Sequence, residues 1–161
     1  MFDKFGEFDS WEEINKAAEG QKEEGDIEAL KALAKENGID IEDVTDYQNG
    51  TINELCTPLT AAMGKIDIEV ADLNLKKDIM IDWIDYIRTQ IADDEDIRTA
   101  VRKKGKSLKG CIGMILKWGK TNMHDIDSEI KNAAGFSGNV KLGMPSSLTV
   151  KKIIKDYYLG R

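Results

Sequence analysis

Residues 65–91 read KIDIEVADLNLKKDIMIDWIDYIRTQI, and two competing periodicities meet in them. Within 65–74, apolar Ile66, Ile68 and Val70 alternate with polar neighbours, which is the two-residue period of a half-buried strand. From Leu75 onward, Ile79, Met80, Trp83, Ile87 and Ile91 recur every three or four positions, the stripe of an amphipathic helix. A single strand has nothing to pair with, so the alternating stretch is expected to be an extended connection, and the helix decides the class.

Outward from this stretch the pattern is helical in both directions. Ser10-Trp11-Glu12-Glu13 has the form of a capping box, in which hydroxyl and carboxylate satisfy free amides at a helix start. Gly20 and Gly25 bound a break. Asp26 then caps a helix with Ile27, Leu30, Leu33 and Ala34 on one face, ended by Asn37-Gly38. Asp40 is placed to cap a third helix that Asn49-Gly50 stops, and Thr57-Pro58 puts proline at a first helical position, although that helix could begin near Asn53. Ser107 precedes Leu108, Cys111, Ile112, Ile115 and Trp118 at helical spacing. A further helix is expected from about Asp125 to Gly135, then a glycine-bearing loop from Phe136 to Ser147, then a last helix from Leu148 to Tyr158. The expected fold is all-α: a compact bundle of about seven or eight short helices. It divides into an acidic region at 1–64 and a second helical region at 65–161 that carries a basic segment at 98–120, two subdomains if they pack separately.

Composition sets the outer limits. The chain has 161 residues, 41% hydrophobic and 33% charged, enough for a real apolar core. It holds no run of about 18 apolar residues, and its N-terminus lacks the pattern of a signal peptide, so a cytoplasmic protein off the membrane is expected. Cys56 and Cys111 are expected to remain thiols. The net charge of −7 is an average over two unlike parts. Residues 1–97 hold 26 acids and 9 bases, a net of −17, and residues 98–161 hold 4 acids and 14 bases, a net of +10. Such polarity makes two opposed electrostatic surfaces or holds the two parts together. Asp93–Asp96 followed by Arg102–Lys104 also fits one helix with acids at its start and bases at its end.

Three motifs carry functional expectations. Ala34, Gly38, Ile39 and Val44 have the spacing of a helix-turn-helix, yet its second helix would present Glu42, Asp43 and Asp46 to phosphates. An acidic helix instead suits a protein surface that normally holds nucleic acid. Ala100–Ser107 (AVRKKGKS) loosely matches a phosphate-binding loop but lacks the strand ahead of it and the first glycine, which leaves Lys106 and the amides beyond Ser107 as a place for phosphate. The basic segment, with Arg98, Arg102, Lys103, Lys104, Lys106 and Lys109, could neutralise phosphates, with Tyr157 and Tyr158 available for stacking. Catalytic constellations are missing: His124 is the only histidine. Asp78, Asp82 and Asp85 are most simply an exposed helix face, and Asp125, Asp127 and Glu129 lack the glycine turn of a calcium loop. No metal and no cofactor is expected.

Lys106–Leu116 (KSLKGCIGMIL), followed by Asp127 to Ala133, resembles part of the PcfK-like proteins carried by conjugative plasmids and elements. The opening Phe2–Phe8 and the ending Lys152–Tyr158 also resemble small proteins from mobile elements of gut Firmicutes. Some PcfK-like proteins are anti-CRISPR proteins that inhibit an RNA-guided DNA nuclease, so the resemblance implies a non-enzymatic protein of a mobile genetic element with a CRISPR effector nuclease as partner. In that setting the acidic candidates for the contact are Glu42, Asp43, Asp46, Asp93, Asp94, Glu95 and Asp96. The alternative is an accessory factor of a conjugative element that binds nucleic acid through its basic segment.

Overall fold

A computed structural model describes residues 4–73 and 78–160. Leu75, the expected start of the long helix, and Phe2 and Asp3 of the opening motif lie outside the described residues. The chain is all-α. Helices α1 (Trp11–Glu23), α2 (Ile27–Glu36), α3 (Ile41–Asn49), α4 (Pro58–Leu73), α5 (Asp78–Asp93), α6 (Glu95–Ala100) and α7 (Leu108–Thr121) come first. Strand β1 (His124–Asp125), helix α8 (Ser128–Ala133), strand β2 (Lys141–Leu142) and helix α9 (Ser147–Leu159) complete it. The strands form an antiparallel pair, with His124 opposite Leu142 and Asp125 opposite Lys141.

Local chemistry explains most helix ends. Ser10 Oγ accepts from the Glu13 amide at 3.3 Å, and the Glu13 carboxylate reaches back to the Asp9 amide at 2.9 Å. Asp26 Oδ1 accepts from Ala29 N at 2.8 Å, Thr57 Oγ1 from Thr60 N at 3.1 Å and Ser146 Oγ from Thr149 N at 3.2 Å. Asp40 makes no such bond, although it occupies the cap position of α3. Proline stands first in α4, so that helix starts at Pro58 and not near Asn53. Gly20 lies inside α1, and the chain turns only at Gly25, whose φ of 71° is left-handed.

Residues 65–73 are helical, which overturns the extended connection read from their alternation. The alternation misleads because two charged residues face inward. Lys65, Ile66 and Glu69 are buried, so the hidden stripe of α4 contains an ion-paired Lys and Glu four residues apart where apolar residues would normally stand. Asp93–Lys104 is likewise not one helix: α5 ends at Asp93, and Asp94 caps α6 by accepting from the amides of Asp96 at 3.1 Å and Ile97 at 3.3 Å. Asp125 stands in β1, and α8 starts only after Asp127, whose carboxylate takes the Glu129 amide at 2.8 Å.

Two apolar clusters meet along α4. Ile14, Leu30, Leu33, Val44, Tyr47 and Leu55 form the first, with Ala61 of α4 at its edge. Ile66, Trp83, Ile87, Ile91, Val101, Leu108, Ile115, Ile154 and Tyr158 belong to the second, with Ala62 of α4 next to the junction. The division expected between residues 64 and 65 therefore falls inside one helix. The α2–α3 turn packs on this helix at glycine contact: a Cβ on Gly64 would lie 2.2 Å from the Asn37 carbonyl oxygen. The helix-turn-helix spacing of Ala34, Gly38, Ile39 and Val44 is thus used to pack α2 and α3 on each other with their turn against α4, and Ala34, Ile39 and Val44 are buried.

Candidate functional site

The six basic candidates separate sharply by environment. Arg102 follows α6 and is only 2% exposed. Its guanidinium donates from Nε to Phe8 O at 3.3 Å, from Nη1 to Ala61 O at 2.8 Å and from Nη2 to Asn37 Oδ1 at 2.6 Å. Asn37 is itself fully buried and donates to Leu33 O at 2.9 Å. Burial pushes the Arg102 pKa down, opposed by the surrounding anionic groups. This side chain ties the N-terminal segment, the end of α2 and α4 to the turn after α6, so it is unavailable to phosphates. Arg98 is half-buried and donates to the last carbonyls of α5, Ile91 O at 3.0 Å and Ala92 O at 2.6 Å. Lys106 is half-buried, bonds Tyr157 O and lies 5.0 Å from the Tyr157 ring centroid. Lys103, Lys104 and Lys109 remain exposed.

The start of α7 is already occupied. The Leu108 amide donates to Glu69, the Ser107 amide to the Tyr157 hydroxyl oxygen at 3.0 Å, and the Gly110 amide to Ser107 Oγ at 3.2 Å. A carboxylate of the chain itself thus sits where a phosphate would sit, which removes the phosphate-loop reading. Lys65, 1% exposed, donates to Glu7 Oε1 at 2.6 Å and to Lys106 O at 2.9 Å, and holds Glu69 at 3.9 Å. Burial raises the Glu69 pKa, while the Leu108 amide and Lys65 act against the rise. These groups border a cavity of about 450 Å³ lined by Glu7, Glu69, Asp72, Lys106, Ser107 and Lys109 among others. Neither Lys65 nor Glu69 was picked out from the sequence; their four-residue separation was the available signal, masked by the strand-like alternation.

The acidic candidates fall on two different elements. Glu42 and Asp46 are exposed on α3, and Asp43 is half-buried beside them. Burial, then Asp40 and Asp46, push the Asp43 pKa upward. Nearby on α1, Glu19 and Glu23 add to the burial that raises the Tyr47 phenol. Asp93, Glu95 and Asp96 are exposed at the α5–α6 junction, whereas Asp94 pairs with Lys155 at 2.7 Å, which with the two amides it caps lowers its pKa. Among the described residues, Asp94–Lys155 is the one ion pair that links residues 1–97 to residues 98–160. Among the described residues, then, direct pairing between the two charge regions is limited to this contact.

Comparison with protein-family models, curated proteins and solved structures gives no match for this chain. What can act chemically is read from the residues alone. Cys56 and Cys111 are buried free thiols, and burial pushes each up to about 12, so neither is a thiolate at neutral pH. Tyr158, expected as a stacking platform, is buried in the second cluster; Tyr157 is half-buried against Lys106 and Ser107. Trp118 is half-buried at the end of α7. Asp82 and Asp85 are exposed, with Asp85 in an ion pair to Arg88 at 3.5 Å; the side chain of Asp78 is outside the description. Among the described residues no three of His, Cys, Asp and Glu draw together as a metal group, and no helix is long and apolar enough to cross a membrane.

Proposed function

We propose that this chain is a non-enzymatic binding protein whose acidic N-terminal helices dock on a basic surface of a protein partner. The observation that carries this reading is the set of acids on α1 and α3 that make no ion pair, with Lys22 of α1 engaged instead by Tyr47 O of α3. Among the described residues, Glu12, Glu19 and Glu23 of α1 and Glu42, Asp43 and Asp46 of α3 have no cation within ion-pair distance, and Asp43 feels the repulsion of its neighbours. Uncompensated negative charge on a helical surface costs stability and is useful where a positive surface is to be met. A nucleic-acid channel is such a surface. The resemblance to PcfK-like and anti-CRISPR proteins of mobile elements points to the channel of an RNA-guided nuclease inside the host cell.

The test is charge reversal in two places. Glu42→Lys with Asp46→Lys should abolish inhibition of guide-dependent DNA cleavage and weaken nuclease binding by at least tenfold, whereas Asp93→Lys with Glu95→Lys should have the smaller effect. Binding should also weaken as salt rises. Unchanged binding and inhibition by the α3 pair would refute the reading.

A second reading rests on the exposed lysines. Lys103 and Lys104 precede α7, and Lys109, Lys117 and Lys120 lie on its solvent side, none in an ion pair among the described residues. A nucleic-acid contact by these five would appear as gel-shift binding that falls steeply with salt and is lost when Lys103, Lys104 and Lys109 become Glu.

A further inference from the structure

Between Gly119 and Val150 the chain runs for the 30 residues 120–149 without one buried side chain. The segment is nevertheless regular. Strands β1 and β2 pair, Ile126 N continues the pairing to Val140 O at 3.2 Å, and Asp127 caps α8. It is seated on α7 by a backbone contact so close that a Cβ on Gly143 would lie 1.9 Å from Gly119 O. An ordered arm with a solvent role would carry polar residues outward. This one exposes Met123, Ile130, Phe136, Leu142 (51%), Met144 (59%) and Leu148 (78%). Beside its base is a groove of about 320 Å³, lined by Ile79, Trp83, Leu116, Met123, Leu142 and Met144 among others, whose lining has Lys120 as its charged side chain.

We infer that this groove and arm form a self-association surface on which a second copy of the chain sits about a twofold axis. A twofold contact places one patch against the same patch, so any patch of one sign repels itself. The acidic residues of α1 and α3 would meet negative with negative, and the exposed Lys103, Lys104, Lys109 and Lys117, in a stretch with no acid from Arg98 to Lys120, positive with positive. The arm escapes this. Residues 120–146 carry Lys120, Lys131 and Lys141 against Asp125, Asp127 and Glu129, with Lys141 and Asp125 paired at 3.9 Å across the strands. It is both apolar and balanced in charge. Ile79, Leu116, Met123, Leu142 and Met144 line this one groove and are 38–59% exposed; at on the order of 100 Å² each they bring about 500 Å² per protomer, more than half of the ~800 Å² that a standard interface buries per partner.

Sedimentation velocity of the full chain across a concentration series reads the outcome directly. The expected result is a concentration-dependent species of twice the 18.0 kDa chain mass. Leu142→Lys and Met144→Lys, at sites already in solvent, should each weaken it on the order of tenfold or more without change in the helical circular dichroism. Ile41→Lys, at an exposed apolar site on α3, is the control and should leave the dimer intact. A monomer at every concentration overturns the inference, and so does a dimer that both arm variants leave unchanged. Growth beyond the dimer mass would show a head-to-tail contact and overturn the twofold arrangement.

Discussion

Replacing Arg102 by methionine tests the central structural finding, because methionine keeps much of the side-chain volume while removing charge and donors. In the native chain the guanidinium, 2% exposed, serves Phe8 O, Ala61 O and Asn37 Oδ1. A hydrogen bond to a charged group contributes about 1.5–3 kcal/mol, and a buried acceptor left without a partner costs about 1–3 kcal/mol. Ala61 O lies inside a helix and keeps a main-chain donor, so the loss falls mainly on Asn37 Oδ1 and Phe8 O. Against this, methionine has no burial penalty of the kind that lowers the Arg102 pKa. The net expectation is a loss of about 2–4 kcal/mol for Arg102→Met, and about 4–6 kcal/mol for Arg102→Ala, which adds a cavity. A chain of this size is stable by roughly 8–15 kcal/mol, so both variants should still fold. Urea unfolding followed by circular dichroism measures the loss. A double-mutant cycle with Asn37→Ala should return a coupling of about 1.5–3 kcal/mol for the 2.6 Å contact. If Arg102→Met matches the native stability within about 0.5 kcal/mol, the guanidinium does not hold the two clusters together and the reasoning fails.

Other perturbations follow from the same contacts. Gly64→Ala puts a Cβ 2.2 Å from Asn37 O and 2.8 Å from Gly38 O, both main chain, so it should cost about 3 kcal/mol or more and lower the Tm by roughly 6–12 °C in a thermal melt. Asp43 has a raised carboxyl pKa, so its ionisation in the folded state costs stability that appears as pH rises through the carboxylate range. Asp43→Asn should therefore raise the Tm by on the order of 1–2 °C at pH 7 and change nothing near pH 3; an equal gain at both pH values would contradict the electrostatic origin. Cys56 and Cys111, each pushed up to about 12 by burial, should resist a thiol reagent at pH 8 in the folded chain and both react in denaturant; rapid labelling without denaturant would show that the cores open readily.

How much could be read before folding was considered depends on how far apart in the chain the causes lie. Ser10, Asp26, Thr57 and Ser107 were legible as caps or helix starts because a cap and the amide it serves are three residues apart; Ser146, which caps α9, was read as part of the loop before it. The stripes of α2, α5 and α7 were legible for the same reason. The inward-facing Lys65 was not, since Glu7 lies 58 residues before it and Lys106 O lies 41 after it. A charged residue reads as solvent-facing until its partner is known, and this one error turned a helix stripe into an apparent strand. Of the candidate interaction residues, Glu42, Asp46, Lys103, Lys104 and Lys109 stand on the surface as their charge suggested, but Arg102 does not.

The amino-acid order by itself determined the all-α class, the positions of most turns and the division of charge into −17 and +10. Helix hydrogen bonds, caps and apolar periodicity are short-range, so they are written locally. The tertiary structure decided which charges are left for a partner. It took Arg102 into the interior through acceptors 94, 65 and 41 residues away, set Glu69 on the α7 start, and left the acids of α1 and α3 without an ion pair among the described residues. The reason is the cost of burying charge. A cation or carboxylate enters the core only where folding assembles its hydrogen-bond partners around it, and those partners come together from distant parts of the chain.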